Sequence, residues 1–383
     1  MREILKKIQK VANNNKHASE YTHGIYRYPA SMSPFLVREI INLFTKKGDM
    51  VLDPFCGGGT TAIEALSQGR KIICSDVNSL AYFVTKAKAT PIDNNSIEKI
   101  ILWSKVMMNY LQRYREKIVP DYFILNKNLP SRKTLWLLDR LKHEADLQPN
   151  PQVRTVCNLI ILRVGKLCYD CQIGSPNPSI LIKAFDKISN SIIDSLMKYS
   201  DHCREISPNM NTKNYLKIYC ENALNLPQLI DRKDTNKIKL ILTSPPYPGV
   251  HILYNRWQIK GRRLTTLPYN LLGLNDGFPG SFYTLGSVSN KGYELYFKNI
   301  QNIFFSLGNV INKKTIVAQV ISFKEPEKQL PMYKRAMKEA GYSEICLTNN
   351  KGGIIIRDVP NRKWYTHLTN RKAKEYILLH HKK

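Results

Sequence analysis

The chain has 383 residues, 43% of them hydrophobic and 10% aromatic, the composition of an ordinary folded protein with enough material for one large or two modest domains. Fifty-eight Lys and Arg against 30 Asp and Glu leave a formal charge of +28, far beyond what solubility requires, so a polyanionic partner is expected. No run approaches the roughly 20 apolar residues of a membrane span, and the opening "MREILKKIQKVANNNK" lacks the apolar core of a signal peptide; a membrane partner is excluded and a cytoplasmic location expected.

"ASMSPFLVREIINLFTKKG" reads as a helix with Ser33 as its N-cap, Pro34 at its first position and Gly48 beyond its end. A short buried strand, "DMVLDPF", follows and runs into "CGGGTTAIEALSQG", a glycine turn opening a helix that closes at Gly69. "KIICSD" is a second strand with Asp76 at its carboxyl end. The three form a βαβ unit, hence parallel strands with a right-handed crossover.

Residues 92–211 carry helical periodicities and few strand candidates, as in "SIEKIILWSKVMMNYLQRYREKIV" and "PSILIKAFDKISNSIIDSLMKYS". Strands resume with "LKIYCE", "KLILTS", "TIVAQVIS", "EICLT" and "EYILLHH", separated in part by helical stretches. The expected fold is therefore α/β: a Rossmann-like, doubly wound sheet of seven strands interrupted by a helical insertion. Residues 1–91 hold the N-terminal segment and the first half of that domain, residues 92–211 the insertion, and residues 212–383 the second half.

The eight cysteines are scattered, mostly in apolar runs, and read as reduced and buried. Cys168 and Cys171 form a CxxC, with His202 and Cys203 some thirty residues later. Adjacent His-Cys is a poor chelating pair, and no metal site is expected.

In doubly wound sheets ligands bind beyond the carboxyl ends of the strands, where strand order reverses. "DPFCGGGTT" occupies that turn. Gly57 and Gly59 allow close backbone approach, and the helix opening at Thr60 offers free N–H groups. Asp76 is placed to accept hydrogen bonds from a ribose diol. "GGGTTA" satisfies the dinucleotide pattern GxGxxA, so a dehydrogenase fits this turn taken alone. The prefix separates the options: Asp53, Pro54 and Phe55 set a carboxylate and an aromatic against the turn, which suits a cofactor with an ammonium and a sulfonium and disfavours a pyrophosphate. That describes S-adenosylmethionine.

"TSPPYP" follows the strand "KLILTS". Two prolines stop the strand and fix the backbone. The lone pair of an exocyclic base amine is delocalised into the ring, so a methyltransferase must hold both amino hydrogens in acceptors that favour a pyramidal nitrogen. Ser244 Oγ and the carbonyl of Pro245 are two such acceptors, Pro246 stiffens the turn, and Tyr247 would stack on a base flipped from the duplex. Downstream, Arg256, Lys260, Arg262 and Arg263 alternate with Tyr254, Trp257 and Tyr269, a pattern suited to phosphate contact and base stacking; equally, the aromatics could be core and the cations a solvated face.

These residues resemble the DNA amino-methyltransferases that act on cytosine N4 or adenine N6. "DPFCGGGTT" looks like their cofactor motif and "TSPPY" like their catalytic tetrapeptide, in the serine form associated with cytosine N4. The resemblance covers roughly residues 21–90 and 213–383. It implies that "YRYPASMSPFLVREII", with Pro29 and Ala30, closes over the methionine part of the cofactor, and that "IYCENALNL", with Asn222, contacts its adenine. It also implies a DNA partner and, with it, cognate restriction or defence components. The helical block does not lie where the family's usual target-recognition insertions go. Cytosine C5 chemistry needs a Pro-Cys nucleophile, which this chain lacks. Three readings remain beside cytosine N4: adenine N6, an RNA amino-methyltransferase acting on guanine N2, and a homologue that binds nucleic acid without catalysis.

Overall fold

The computed structural model describes residues 2–12, 20–26, 28, 31–114, 131–172, 174, 176–249, 257–259, 263–275, 285–286, 290–345, 354–359 and 373–383. In chain order the elements are α1 (Arg2–Ala12), α2 (Pro34–Phe44), β1 (Met50–Asp53), α3 (Thr60–Ser67), β2 (Lys71–Ser75) and α4 (Ser79–Ala89). Four long helices follow, α5 (Asn94–Arg113), α6 (Arg132–Asp146), α7 (Pro151–Tyr169) and α8 (Pro178–Ile206). After the short α9 (Thr212–Tyr215) come β3 (Leu216–Tyr219), α10 (Leu226–Leu229), β4 (Ile238–Thr243), β5 (Trp257–Ile259), β6 (Arg263–Thr265) and α11 (Leu267–Leu272). The chain closes with α12 (Asn290–Leu307), β7 (Ile316–Ile321), α13 (Pro326–Glu339), β8 (Tyr342–Glu344), β9 (Ile355–Val359) and β10 (Ala373–Lys382).

The main sheet runs β3-β2-β1-β4-β7-β10-β8, with β9 pairing β10. Strands β3, β2, β1, β4 and β7 are mutually parallel, and β10 is antiparallel to β7, β8 and β9. Order reverses between β1 and β4, which puts the carboxyl ends of these two strands at the switch point where doubly wound sheets bind ligands. All four residues of β1 are buried, as a parallel strand covered by helices on both faces requires.

Period-two alternation divides the strand side chains between two cores. Val51, Leu240, Leu242, Ala318 and Val320 face α1, α2 and α3, while Leu52, Ile241, Val317 and Ile321 face α12 and α13, joined by Ile238 because the register shifts between it and Leu240. A third core lies inside the helical block, where α5 to α8 enclose Ile100, Leu138, Ile160 and Phe185. Side-chain caps start α5, α7 and α8: Asp93 accepts the Ser96 N–H, Asn150 the Val153 N–H, and Asn177 the Ile180 N–H.

Two features differ from the expected sheet. Among the described residues it has eight strands rather than seven, because "IIRDV" forms β9; Arg357, in the middle of that strand, points inward to a buried partner, so no clean apolar alternation marks it. The stretch after the proline turn, read from sequence only as cations alternating with aromatics, contributes the β5–β6 hairpin and α11. Their side chains Trp257, Ile259, Leu267, Tyr269 and Leu271 belong to the core of the helical block.

Candidate active site

Asp53 ends β1 with 1% of its surface exposed. Its Oδ1 accepts the Phe55 N–H at 3.2 Å and the Thr243 hydroxyl at 2.7 Å. Thr243 is the last residue of β4, so this one carboxylate joins the two turns that follow β1 and β4. Asp53 Oδ2 is buried and accepts no hydrogen bond among the described residues. Burial pushes the carboxyl up to about 6, against the hydrogen bonds it accepts.

The glycine turn is shaped by necessity. Gly57 and Gly59 have φ of +49° and +82°, which only glycine adopts without strain. A Cβ on Gly59 would sit 2.9 Å from the Thr85 side chain, and one on Gly58 would sit 2.6 Å from Tyr28 Cβ. Tyr28 thus lies directly against the turn. From the other side, α4 holds its carbonyls: the Thr85 hydroxyl donates to Gly57 O and Lys88 Nζ to Gly58 O, each at 2.9 Å. Thr60, the first residue of α3, is buried behind the turn, and Phe55 is half-buried at its start.

Asp76 follows β2 and is already engaged. Its Oδ2 accepts the Gly57 N–H and its Oδ1 the Asn78 N–H, both at 2.9 Å. Its own N–H donates to Tyr219 O, and its carbonyl accepts the Glu221 N–H. Asp76 therefore ties the glycine turn to the ends of β2 and β3. Asn222, on that rim, is exposed and its Oδ1 accepts the Leu224 N–H.

The proline turn leaves β4 at Ser244, which is half-buried, with Pro245 buried and Pro246 half-buried. Helix α12 clamps it: the Tyr296 hydroxyl donates to Pro246 O at 2.8 Å. Gly249, at φ +72°, admits the Tyr293 hydroxyl to a position 2.6 Å from where a Cβ would lie. No described donor takes the Pro245 carbonyl. Tyr247 is 6% exposed and belongs to the core on the α12 side. Its hydroxyl donates to Glu375 Oε1 at 2.9 Å, and Arg357 Nε donates to Glu375 Oε2 at 2.7 Å.

Sequence reasoning missed four supports. Lys88 is 3% exposed, and burial lowers its pKa to about 7; Leu80, Val84 and Lys88 recur at helical spacing, which was the available signal for an inward lysine. Glu64, within the wholly buried α3, is held by Arg38 of α2 and by His23, with Arg38 Nε and His23 Nε2 each 2.8 Å from a carboxylate oxygen. Burial lowers the His23 pKa, and Glu64 offsets this. This cluster anchors the segment leading to Tyr28 on α3. The Glu375–Arg357 pair and the Tyr296 clamp depend on strands and helices more than 40 residues away in sequence, which no local pattern reveals.

Other expectations resolve differently. Trp257, expected to stack on nucleic acid, is 1% exposed and its Nε1 lies 3.4 Å from the Tyr26 hydroxyl, while a Cβ on Gly165 of α7 would be 3.0 Å from its ring. Its faces are spent on helix packing, which corrects that assignment. Tyr269 is likewise buried, its hydroxyl accepting from Asn78 Nδ2 at 2.7 Å. Arg256, Lys260 and Arg262, together with Pro29 and Ala30, lie outside the described residues, as does the side chain of Arg263. Cys168 is buried and Cys171 exposed, while His202 Nε2 lies 2.9 Å from Ser67 O. Among the described residues no group of three His, Cys, Asp or Glu side chains could hold a metal, and no helix is long and apolar enough to cross a membrane.

A doubly wound sheet with a glycine turn and a proline turn meeting at its switch point defines a Rossmann-like domain. Residues 3–88 match the N6/N4 methyltransferase family model, described as a DNA methylase. The type II methyltransferase M.MvaI of Kocuria varians is 36% identical over 90 residues, 23% of this chain and 20% of that protein. The type II methyltransferase M.BsoBI of Geobacillus stearothermophilus is 23% identical over 271 residues, 62% of this chain and 52% of that protein. A tRNA (guanine(10)-N2)-dimethyltransferase of Methanocaldococcus jannaschii is 33% identical over 109 residues, 27% of this chain and 28% of that protein. The chain thus spans between about a fifth and a half of the length of these relatives.

Proposed function

We propose that this chain is an S-adenosylmethionine-dependent DNA methyltransferase that modifies the exocyclic amine of a base flipped from the duplex, with cytosine N4 favoured over adenine N6. The observation that carries the reading is the Thr243–Asp53 hydrogen bond, which brings the glycine turn and Ser244-Pro245-Pro246-Tyr247 to one place at the sheet's switch point. When bound, S-adenosylmethionine supplies an electrophilic methyl group. The residues fit such a cofactor. Asp53 Oδ2 is a buried acceptor that a cationic amine would satisfy. Asp76, at the carboxyl end of β2, is proposed as the ribose contact, and Phe55 and the glycine backbone line the turn. Thr60 opens the helix behind them.

At the other turn, Ser244 Oγ and the Pro245 carbonyl accept the two amino hydrogens, concentrating the nitrogen lone pair on one side. The proline rings and the Tyr296 hydroxyl hold those acceptors still, which is a positioning contribution. Tyr247 forms the wall beside them. Cytosine N4 is favoured because serine precedes Pro-Pro, and direct transfer without a covalent enzyme–base adduct is favoured because the chain lacks a Pro-Cys nucleophile. The charge of +28 suits a phosphate backbone, with Arg256, Lys260, Arg262 and Arg263 proposed as contacts and Pro29, Ala30 and Asn222 as further cofactor contacts. A cytoplasmic setting and association with restriction or defence components are part of the same reading.

The match to a tRNA guanine-N2 enzyme favours RNA as the second reading. Incubation with labelled cofactor and either DNA or RNA, followed by nucleoside mass spectrometry, separates them. N4-methylcytosine in DNA is the expected product. N6-methyladenine would change the base, 5-methylcytosine would overturn the mechanism, and label in RNA alone would move the substrate to the second reading.

A further inference from the structure

Glu375 on β10 and Arg357 on β9 face each other in the antiparallel register of the terminal strands. Their side chains are 1% and 8% exposed, and both Arg357 Nε and Nη2 lie 2.7 Å from Glu375 Oε2. The guanidinium fork thus engages one carboxylate oxygen and leaves the other, Oε1, to accept the Tyr247 hydroxyl at 2.9 Å.

An ion pair this deep is a poor device for stability, because desolvation consumes much of its Coulombic gain and an apolar pair of similar volume is often at least as stable. What it provides is direction. A phenol donating to an ionised carboxylate forms a short, charge-assisted bond, and a carboxylate fixed by a guanidinium cannot follow the phenol if the turn shifts. Tyr247 is bonded to Pro246, whose carbonyl is taken by Tyr296. The turn is therefore pinned at two successive residues, once from α12 and once from β10. Ser244 and the Pro245 carbonyl lie just before the pinned positions.

We propose that Glu375, oriented by Arg357, is a positioning residue that locks Tyr247 and so holds the Ser244 and Pro245 acceptors in the geometry needed for methyl transfer. This inference rests on the methyltransferase reading above and deepens it. It assigns part of the catalytic geometry to the last two strands, more than 100 residues after the turn they hold.

The test compares the parent with Tyr247→Phe, Glu375→Gln and the double variant, reading cofactor affinity by calorimetry and single-turnover transfer to DNA. Each single change should lower the transfer rate roughly ten-fold while shifting cofactor affinity less than about two-fold, and the double variant should be no slower than the slower single one, as coupled residues behave. Additive losses, unchanged rates in both single variants, or equal losses of rate and cofactor affinity would overturn the assignment. If Glu375→Gln does not fold, Tyr247→Phe alone decides, since it removes only the hydroxyl. An active parent with unaffected variants overturns this inference alone; a parent that transfers no methyl group to DNA or RNA overturns the functional reading and the inference with it.

Discussion

The two turns that meet at the switch point hold their shape by opposite means. The turn after β1 is built from glycines, so its own backbone resists little, and its form is imposed from outside: Thr85 and Lys88 take its carbonyls, Asp76 takes its Gly57 N–H, and Tyr28 lies against it. The turn after β4 carries its rigidity in the proline rings and needs only two tyrosine hydroxyls to set its direction. Flexible backbone allows a ligand to come close but demands buried polar partners, each of which costs desolvation. Stiff backbone needs fewer partners, and the aim of its carbonyls is part of the sequence.

The comparison can be broken most forcibly at Tyr247. Tyr247→Ala removes a buried ring and leaves Glu375 and Arg357 without their third member, so stability should fall by about 4 kcal/mol, read from urea unfolding. A loss below about 1 kcal/mol would mean that the proline turn does not depend on its packing against the α12 core.

On the glycine side, Glu64→Ala takes the carboxylate from His23 and leaves Arg38 its pairing with the more exposed Glu20. A cost of about 3 kcal/mol is expected, at the low end for a broken buried pair because Arg38 keeps some access to water. Glu64→Gln should recover part of it. If both variants match the parent in chemical denaturation, the anchoring of the N-terminal segment lies elsewhere.

A smaller effect is expected from proton linkage at Asp53. Its carboxyl is pushed up to about 6 by burial, above the ordinary value near 4. Between those values the folded protein binds a proton that the unfolded chain has released, so this group's contribution to stability falls as pH rises through the window. Cofactor binding should behave oppositely: a cationic amine pairs with the ionised form, so affinity should weaken roughly ten-fold per pH unit below about 6. Calorimetry at several pH values measures this, and Asp53→Asn should bind weakly without that slope. A parent affinity that stays flat from pH 5 to 7 would remove Asp53 from the cofactor site.

The least of these changes is Thr243→Val, which deletes the hydrogen bond from Thr243 to Asp53 that joins the two turns. About 1 kcal/mol of stability should be lost, with the transfer rate falling more than cofactor affinity. Equal effects on both would mean that the turns are held independently.

By itself the sequence determined a good part of this. Apolar runs after glycine and proline signals placed β1, β2, β4, β7 and β10, and the helical periodicity of residues 92–211 placed α5 to α8, because local propensity and burial agree there. Gly57, Gly59 and the two prolines were legible as turn positions because their backbone chemistry is unusual wherever they occur. Tertiary structure alone decided which side chains face inward. Trp257 and Tyr269 have the residue types of a stacking surface, yet they fill the helical core, Trp257 against the recess that Gly165 leaves on α7 and Tyr269 with its hydroxyl bonded by Asn78. Lys88, Glu64, Glu375 and Arg357 look like surface charges in one dimension, yet each is buried against a partner from a distant element. A charge becomes a structural support only when folding brings its counterpart within a few ångströms, and that distance is a property of the packed sheet and helices, not of any stretch of chain.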